Sequence, residues 1–278
     1  MASILAERLR AELRLVYVHQ PTVVDELARF GVAGDAARST AEHYLLGVVD
    51  RLRTGGAPGV SATVVDGHPA EAIAAHAAET RADLIVMASH GRTGASRFWL
   101  GSVADAVIRS ASLPVLMVRR PPTPPERSDA PLFSRILVPL DGSAAAEAIV
   151  PHAIAIAKLS GAELHLLRVE EPAESLRTSV WVVAQEPDDL PDRLKRADHD
   201  LHTLVDRFHA DWAPATPTAE ARAGHRAGDT IVEVAAERAA DLIAMTTHGR
   251  GASRLILGSV ADKILRGTQG SVLLLRSR

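Results

Sequence analysis

Short apolar runs alternate with longer segments of helical periodicity through the second half of the chain. Runs of mostly apolar residues bounded by Gly, Asp or Pro predict buried strands, and apolar positions three to four apart predict the helices between them. The predicted strands are 135–140, 163–169, 219–223, 241–245 and 272–275, and the predicted helices are 143–160, 193–210, 230–239 and 259–266. Ser143 is placed to cap the first helix and Gly161 to end it. This alternation predicts a mainly parallel sheet with helices on both faces, the α/β class.

One segment of the second half has a close copy in the first half. Residues 83–105, with the sequence DLIVMASHGRTGASRFWLGSVAD, recur as residues 241–262, with the sequence DLIAMTTHGRGASRLILGSVAD. The second copy is one residue shorter, opposite Thr93. Copies this far apart indicate two whole domains rather than a short-period solenoid.

A proline-rich stretch separates the two copies. Residues 119–131 contain five of the sixteen prolines of the chain. Proline at this density forms neither helix nor central strand and is typical of a stiff, extended spacer. We therefore predict a first domain at 1–119, a linker at 120–132 and a second domain at 133–278.

Composition excludes several classes of function. The chain has 278 residues, a formal charge of −3, 47% apolar residues, 3% aromatic residues and no cysteine. Disulfide scaffolds, thiolate metal sites and cysteine nucleophiles are therefore excluded, and neither the charge nor the aromatic content favours binding to nucleic acid. No apolar run is long enough to span a bilayer, and charges in the first turns argue against a secretory signal. The expected location is the cytoplasm, with no membrane partner.

A glycine-rich loop between a strand and a helix is the strongest candidate for a binding site. It runs from Thr246 to Ser259 and includes Gly249, Arg250 and Gly258. Glycines let backbone amides approach a ligand, and a helix N-terminus attracts phosphate through its free N–H groups and its dipole. The alternative is that the glycines only form turns, that Ser259 only caps the helix, and that nothing binds. The loop matches neither the P-loop nor the G-x-G-x-x-G pattern.

Asp141 is the second candidate, at the carboxyl end of the first strand of the second domain. Ligands of doubly wound sheets lie beyond such strand ends, where an acidic side chain can accept a hydrogen bond from a base or a ribose. The alternative is that Asp141 only shapes the Asp-Gly-Ser turn.

These motifs together resemble the universal stress protein family in a tandem two-domain form. The resemblance rests on Ile-Leu-Val-Pro-Leu-Asp-Gly-Ser at 136–143, the strand at 164–169 and His-Gly-Arg followed by Leu-Gly-Ser-Val-Ala-Asp at 248–262. It implies two Rossmann-like domains, each with a doubly wound, five-stranded parallel sheet. It also implies ATP as the ligand, with Mg²⁺ as a candidate companion of the phosphates.

The resemblance assigns roles to individual residues. Asp141 and Gly142 would lie at the adenine end, and Val169 would line the base pocket. The ribose and phosphates would be held by the loop and the start of the next helix, through Thr246, Gly249, Arg250, Gly258, Ser259 and Val260. The counterparts in the first domain are Gly91, Gly101 and Ser102.

Both copies depart from the family motif G-x2-G-x9-G-(S/T). In the first domain the spacing is intact, but Ala88 stands where the first glycine is expected. In the second domain Thr246 replaces that glycine, and eight residues rather than nine separate Gly249 from Gly258. One missing residue shifts the backbone amides by about 3.8 Å, which exceeds the tolerance of a hydrogen bond.

The first domain begins late relative to the second. Ala11 aligns with Ala162, so Met1 falls opposite His152 and nothing corresponds to residues 135–151. The missing part includes the first strand, which in this fold lies in the centre of the sheet, between the second and fourth strands. Its neighbours would lose hydrogen-bond partners, at a cost of about 1–3 kcal/mol for each buried group. We expect that another segment fills the gap, that the domain is degenerate, or that the true start lies upstream, and that the chain has at most one complete site.

The favoured hypothesis is an ATP-binding sensor or regulator of the stress response, with ATP in the second domain. The family also implies pairing through the last strands, 114–118 against 272–275, within one chain or between chains. The alternative is an interaction or dimerisation module whose nucleotide sites have decayed. An ATP-using ligase or pyrophosphatase is less favoured because Asp141-Gly-Ser is not the phosphate loop such enzymes use.

No residue is predicted to be catalytic or to bind metal. The twelve histidines include no His-x3-His or His-Glu-x-x-His pair on a helix, and no Gly-x-Ser-x-Gly elbow is present. Any ATP hydrolysis would therefore be slow. Val260 also belongs to an apolar helix face typical of a core, and Arg119 and Arg276, which follow the last strands, are expected to be solvated.

Overall fold

The fold is described from a computed structural model, which covers residues 1–20, 36–57, 59–88, 100–119, 131–172, 189–212, 217–247 and 257–276. The strands are β1 Leu13–His19, β2 Val60–Asp66, β3 Ile85–Ala88, β4 Val115–Val118, β5 Arg135–Pro139, β6 Glu163–Glu170, β7 Thr218–Ala223, β8 Leu242–Thr246 and β9 Ser271–Leu275. The helices are α1 Ala2–Leu9, α2 Ala36–Thr54, α3 Pro69–Glu79, α4 Ser102–Ser110, α5 Ala144–Glu147, α6 Val150–Ser160, α7 Leu190–Arg207, α8 His209–Trp212, α9 Ala227–Glu237 and α10 Ser259–Gly267.

The second domain contains a five-stranded parallel sheet in the order β9-β8-β5-β6-β7. Its central strands are buried on both faces: β8 is buried throughout, and Ile136–Pro139 of β5 are buried too. Continuous apolar runs such as Ile-Leu-Val-Pro suit a strand that is covered on both sides by helices. The predicted α/β class and the Rossmann-like sheet are confirmed.

The predicted helix 143–160 is two helices, α5 and α6. Ser143 caps α5 as predicted, because its Oγ accepts a hydrogen bond from the Ala146 N–H at 3.1 Å. The break falls where Pro151 enters the first turn of α6, since proline has no N–H to donate to the preceding turn. Gly161 ends α6 with a φ of 67°, in the left-handed region that favours glycine.

The strands of the first domain are divided between two sheets. β1 and β2 form a separate parallel pair, whereas β3 and β4 join the second domain. β4 pairs antiparallel with β9, with Val115 opposite Leu274 and Met117 opposite Val272. The result is a seven-stranded sheet in the order β3-β4-β9-β8-β5-β6-β7.

Pairing of the last strands therefore occurs within the chain. β4 has β3 on its other side and β9 has β8, so both strands are paired along both edges. Pairing with a second chain through these strands would require the β4–β9 ladder to open, and it stays a prediction.

Two apolar layers cover the seven-stranded sheet, and each contains residues of both domains. In one layer Leu5 and Leu116 belong to the same cluster as Leu273. In the other, Val107 of α4 and Met117 of β4 share a cluster with Ile264 of α10. The shared sheet thus gives the two domains a common core.

Asp241 fixes the beginning of the central strand β5. Its two carboxylate oxygens accept hydrogen bonds from the backbone N–H groups of Ser134, at 2.7 Å, and Arg135, at 3.1 Å. The Asp241 N–H donates in return to the Arg135 carbonyl at 3.0 Å. The counterpart in the first domain, Asp83, is exposed and makes no hydrogen bond or ion pair within the described residues.

Arg119 is not the solvated end that the sequence suggests. Its side chain is partly buried and donates a hydrogen bond to the Leu265 carbonyl, in the last turn of α10. Burial lowers the pKa of Arg119. A cation at this position satisfies a carbonyl that the helix leaves unpaired, and it does so across the boundary between the domains.

His165 lies buried between β6, β7 and the end of α9. Its Nδ1 is 2.7 Å from Thr218 Oγ1, and its Nε2 is 3.3 Å from Glu220 Oε1. Burial is the main cause that lowers the pKa of His165 below its ordinary value of 6.5; the charges of Arg238 and Arg222 lower it further, while Glu220 opposes the shift.

We expect Asp241→Asn to lower the free energy of unfolding by about 1–3 kcal/mol, because an amide cannot accept both backbone hydrogen bonds and its NH₂ faces an N–H. The matched substitution Asp83→Asn should change it by less than about 0.5 kcal/mol. Urea unfolding of both variants measures the difference. Equal effects would contradict the role given to Asp241.

We also expect the chain to lose stability as the pH falls below about 6.5. The unfolded chain binds a proton at His165 near its ordinary pKa, whereas the folded chain resists it, so unfolding takes up protons. Each proton taken up on unfolding makes the free energy of unfolding fall by about 1.4 kcal/mol per unit decrease in pH. His165→Asn should reduce the slope measured between pH 7.5 and 5.5, with part remaining because burial also lowers the pKa of His152. An unchanged slope in His165→Asn would refute this assignment.

Candidate functional site

The order of strands reverses at β5. From β5 the chain builds β6 and β7 on one side, then crosses to β8 and β9 on the other. Asp141 follows β5, Thr246 ends β8 and Val169 lies near the end of β6. Because parallel strands end at the same edge of a sheet, these three predicted residues lie at one edge, at the switch point where doubly wound sheets bind ligands.

Asp141 shapes the turn after β5. Its Oδ1 accepts hydrogen bonds from the Ser143 N–H at 2.9 Å and from the Ser143 hydroxyl at 2.6 Å. Gly142 between them has a φ of 78°, which a residue with a Cβ rarely adopts. Ser143 Oγ in turn accepts from the Ala146 N–H. The turn therefore holds the Asp141 carboxylate in a fixed position and links it to the start of α5.

The start of α10 is held against the end of β8. Thr246 and Thr247 are buried, and the Thr247 N–H donates to the Leu275 carbonyl at 2.9 Å. The Gly258 N–H donates to the Thr247 carbonyl at 3.1 Å. Sequence analysis missed Thr247, because its contribution is made by backbone atoms that any residue supplies.

Within the described residues, the backbone N–H groups of Ser259, Val260 and Ala261 in the first turn of α10 have no hydrogen-bond partner. Gly258 is the N-cap and has no side chain to cap the helix. Ser259 is exposed beside it, whereas Val260 is partly buried against the second apolar layer. The Asp262 carboxylate in this turn is paired with Arg266 at 2.9 Å. Backbone N–H groups at a helix N-terminus and the helix dipole favour an anion here.

Three of the predicted residues lie outside the described part of the chain: Gly249, Arg250 and Gly91. Gly101 and Ser102 are described, and they begin α4 as Gly258 and Ser259 begin α10. The described part of the first domain has no strand equivalent to β5 and thus no counterpart of Asp141.

A group of charged side chains at the end of β6 was not predicted. Arg168 binds Glu170 and Asp200, each at 2.9 Å, and Arg193 Nε lies 3.7 Å from Glu170. Next to them, Glu171 Oε1 accepts from the Ala227 N–H at 2.7 Å and so caps the start of α9. The sequence shows alternating charges here, but it gives no indication that a helix 20 or more residues away supplies their partners.

Within the described residues, no three His, Asp or Glu side chains lie close enough together to hold a metal ion. In the same part of the chain, no helix combines the length and the apolar character needed to cross a bilayer.

Two segments of the chain, residues 1–119 and 132–276, match the model of the universal stress protein family. A universal stress protein of Mycobacterium tuberculosis is 28% identical over 203 residues, which are 70% of this chain and 62% of that protein. One of Methanocaldococcus jannaschii is 48% identical over 58 residues, which are 21% of this chain and 34% of that protein. The matches thus span less than two thirds of the length of these relatives.

A solved structure of similar architecture is a universal stress protein from Archaeoglobus fulgidus. It superposes with a TM-score of 0.72 at 20% sequence identity and covers 99% of this chain and 91% of its own. At this identity the likeness concerns the fold.

We expect Ser143→Ala to lower the free energy of unfolding by about 1 kcal/mol, since it removes both the cap of α5 and a donor to Asp141. Ser143→Thr should retain most of the stability because threonine can make both hydrogen bonds. Thermal unfolding of the two variants tests this expectation, and an equal loss in both would show that the hydroxyl is not the stabilising group.

Proposed function

Because this chain belongs to the universal stress protein family, we propose that its second domain binds ATP and that the chain acts as a sensor or regulator in the stress response. The observation that carries the proposal is the convergence of Asp141, Val169 and the start of α10 at the switch point of the sheet. A nucleotide fits such a crevice because it combines a flat apolar base with a charged phosphate tail.

The adenine end of the nucleotide lies at β5 and β6 in this proposal. Val169 is partly buried and packs with the second apolar layer, so it offers the base an apolar wall. Asp141 is held by the Ser143 turn at the mouth of the crevice, where a carboxylate can accept a hydrogen bond from a ribose hydroxyl or a base amino group.

The phosphates lie at the start of α10, next to Thr246. The hydrogen bond from the Gly258 N–H to the Thr247 carbonyl positions the first turn of α10 at the end of β8. The N–H groups of this turn and the Ser259 hydroxyl are hydrogen-bond donors that a phosphate can accept. Arg250 supplies a neutralising charge in this proposal, and Mg²⁺ accompanies the triphosphate.

The second domain is the better candidate for nucleotide binding, although its glycine-rich loop is one residue shorter than that of the first domain. The start of α4 is built like that of α10, with Asp105 and Asp262 N–H groups bonded to the preceding glycines at 2.9 Å. Nothing in the described part of the first domain corresponds to β5 or Asp141, so both ends of the proposed site are found together in the described part of the second domain.

The other candidate is an interaction module that binds no nucleotide. It is favoured by the use of Asp141 Oδ1 within its own turn and by the division of the first domain into two strand pairs. Calorimetry separates the two candidates.

We expect calorimetric titration to give about one ATP per chain. Asp141→Ala should weaken binding about 10-fold or more, equal to about 1.4 kcal/mol, and Ser259→Ala should weaken it about 3-fold or more, because each removes a ligand contact. Ser102→Ala is the matched control at the same position of the first domain and should leave the affinity unchanged. Titration with and without Mg²⁺ tests whether the ion contributes to ATP affinity.

Ser143→Ala serves as the control for the turn, because Asp141→Ala alters the turn as well as the proposed ligand contact. Equal weakening by Ser143→Ala and Asp141→Ala would remove the direct role of Asp141. An effect of Ser102→Ala without one of Ser259→Ala would move the site to the first domain. Absence of binding heat at millimolar ATP, with a folded chain, would overturn the proposal in favour of the interaction module.

A further inference from the structure

The seven-stranded sheet ends on β7. Within the described residues β7 pairs only with β6, so its other edge has no neighbouring strand there. The equivalent strand of the first domain, β2, lies at the end of its own sheet, because it pairs only with β1 in the same part of the chain. The two end strands can therefore be compared position by position.

Backbone hydrogen bonds show which residues of β7 face outward. The Gly224 N–H donates to the Glu170 carbonyl of β6 at 3.1 Å. Because the backbone groups of successive residues in a strand point to opposite sides, the residues two and four places earlier also face β6, and those between them face away from it. The outward-facing residues are Ala219, Ala221 and Ala223.

The outward groups of these three alanines are available for pairing. Within the described residues their outward N–H and C=O groups make no hydrogen bond. The residue at the preceding outward position is Pro217, which has no N–H. The free part of the edge is therefore short, and its side chains are methyl groups that leave room for a second strand.

The first domain covers the same edge with arginine side chains. The Gly67 N–H donates to β1, so the same alternation turns Val60 and Val64 outward. Arg53 donates a hydrogen bond to the Val60 carbonyl at 2.9 Å, and Arg38 donates one to the Val64 carbonyl at 3.3 Å. Charged side chains on an edge strand oppose its pairing with another chain.

A direct comparison of the two edges is made at Ala221 and Val64. Ala221 lies three residues before Gly224, and Val64 lies three residues before Gly67, with both glycines bonded to the neighbouring strand. The Val64 carbonyl has an arginine partner, whereas the described residues provide none for the Ala221 carbonyl. The edge of β7 thus lacks the protection that β2 has.

Two copies of β7 match each other when they run antiparallel about a two-fold axis at Ala221. In an antiparallel ladder, alternate residues exchange two hydrogen bonds with the residue directly opposite. With Ala221 opposite its own copy, Ala219 lies opposite Ala223 of the second copy. All the outward groups then meet as hydrogen-bonded pairs, which gives about six hydrogen bonds.

The charged residues between the alanines favour this register. With Ala221 on the axis, Glu220 of each copy lies directly opposite Arg222 of the other, and opposite charges in such pairs are stabilising. A shift of two residues in either direction would place Glu220 opposite Glu220, or Arg222 opposite Arg222, and like charges in such pairs are destabilising. A shift of one residue would leave the outward groups without opposite partners.

The charge around this pair does not oppose association. The Glu220 side chain is 28% exposed and that of Arg222 is 35% exposed, so both can be reached from a second copy. Arg222 also binds Glu237 at 2.7 Å, and Arg238 binds Glu220 at 3.1 Å. Two carboxylates and two guanidinium groups thus balance within each copy.

We propose that a second copy of this chain pairs with β7, antiparallel and two-fold symmetric about Ala221, with Glu220 of each copy opposite Arg222 of the other. The pairing joins two seven-stranded sheets edge to edge and leaves the β4–β9 ladder intact. It is independent of nucleotide binding. Because so short a ladder buries little surface, the dimer is expected to depend on concentration.

Sedimentation velocity of the full chain, from about 1 to 500 μM, measures this association and should show a reversible dimer. Ala221→Pro removes an N–H that faces outward but none that bonds to β6, and it should weaken the dimer about 10-fold or more. Arg222→Glu should also weaken it about 10-fold or more, because two pairs become repulsive. Lys195→Glu, the same charge reversal on the exposed side of α7, should leave it unchanged.

A mixture of two variants separates a contact between copies from a structural role of Arg222. Arg222→Glu alone places carboxylates opposite carboxylates, and Glu220→Arg alone places guanidinium groups opposite each other. In a dimer with one chain of each variant, both pairs again carry opposite charges, so the mixture should dimerise more strongly than either variant alone. Mixing would not repair a defect within one chain.

Disulfide cross-linking tests the register, and the chain contains no cysteine that would interfere. Ala221→Cys should form a covalent dimer on mild oxidation, because hydrogen-bonded opposite residues have Cα atoms about 5.5 Å apart. Ala223→Cys is the matched control on the same edge. Its two copies would lie about 13 Å apart in this register, too far for a disulfide.

Three results would overturn the proposal: a chain that is monomeric up to about 500 μM, a dimer that neither Ala221→Pro nor Arg222→Glu weakens, and equal cross-linking of the two cysteine variants. Asp141→Ala should dimerise as the unsubstituted chain does, so a failure of ATP binding leaves this proposal standing. If Ala221→Pro or Glu220→Arg fails to fold, Arg222→Glu with its control and the two cysteine variants decide the question.

Discussion

The last strands of the two domains, β4 and β9, pair antiparallel and join what would be two sheets into one of seven strands. Without this ladder the β3–β4 pair would stand alone, and an isolated two-stranded sheet has marginal stability in water. With it, Val115 and Leu116 are almost completely buried in apolar layers that residues of both domains form. Arg119 adds a hydrogen bond across the same boundary. The pairing of β4 with β9, and the packing that comes with it, thus stabilise β3 and β4.

The two domains show what a central strand contributes, because residues 83–105, which include β3, are a close copy of residues 241–262, which include β8. Where β5 is present, its neighbours β6 and β8 are buried, and Asp241 is bonded to the strand. Where no equivalent strand is described, the sheet divides at that position, and Asp83 is exposed. The difference follows from hydrogen bonding: a parallel strand leaves half of its backbone groups without partners when one neighbour is missing.

The candidate nucleotide site depends on the same strand. Asp141 reaches the switch point only because β5 lies between β6 and β8, and Thr247 fixes the start of α10 there through backbone hydrogen bonds. Charged side chains at the end of β6 are paired with helix residues, which keeps their charges compensated beside the crevice. The candidate ligand site of the second domain thus depends on β5, to which no strand in the described part of the first domain corresponds.

Local patterns were enough to predict the α/β class, the repeat and the strands near the candidate site. Continuous apolar runs, the cap at Ser143 and the copied segment 83–105 are properties of neighbouring residues, so the chain itself displays them. Sequence analysis did not predict the break between α5 and α6, although Pro151 is a signal for one. Packing also influences where a helix starts, and the local sequence does not show that packing. The partners of Arg119, Asp241 and Arg193 were hidden for a stronger reason. Each lies on another part of the fold, and only the folded backbone brings the carbonyls of Leu265 and Glu171 to the two arginines, and the N–H of Ser134 to Asp241.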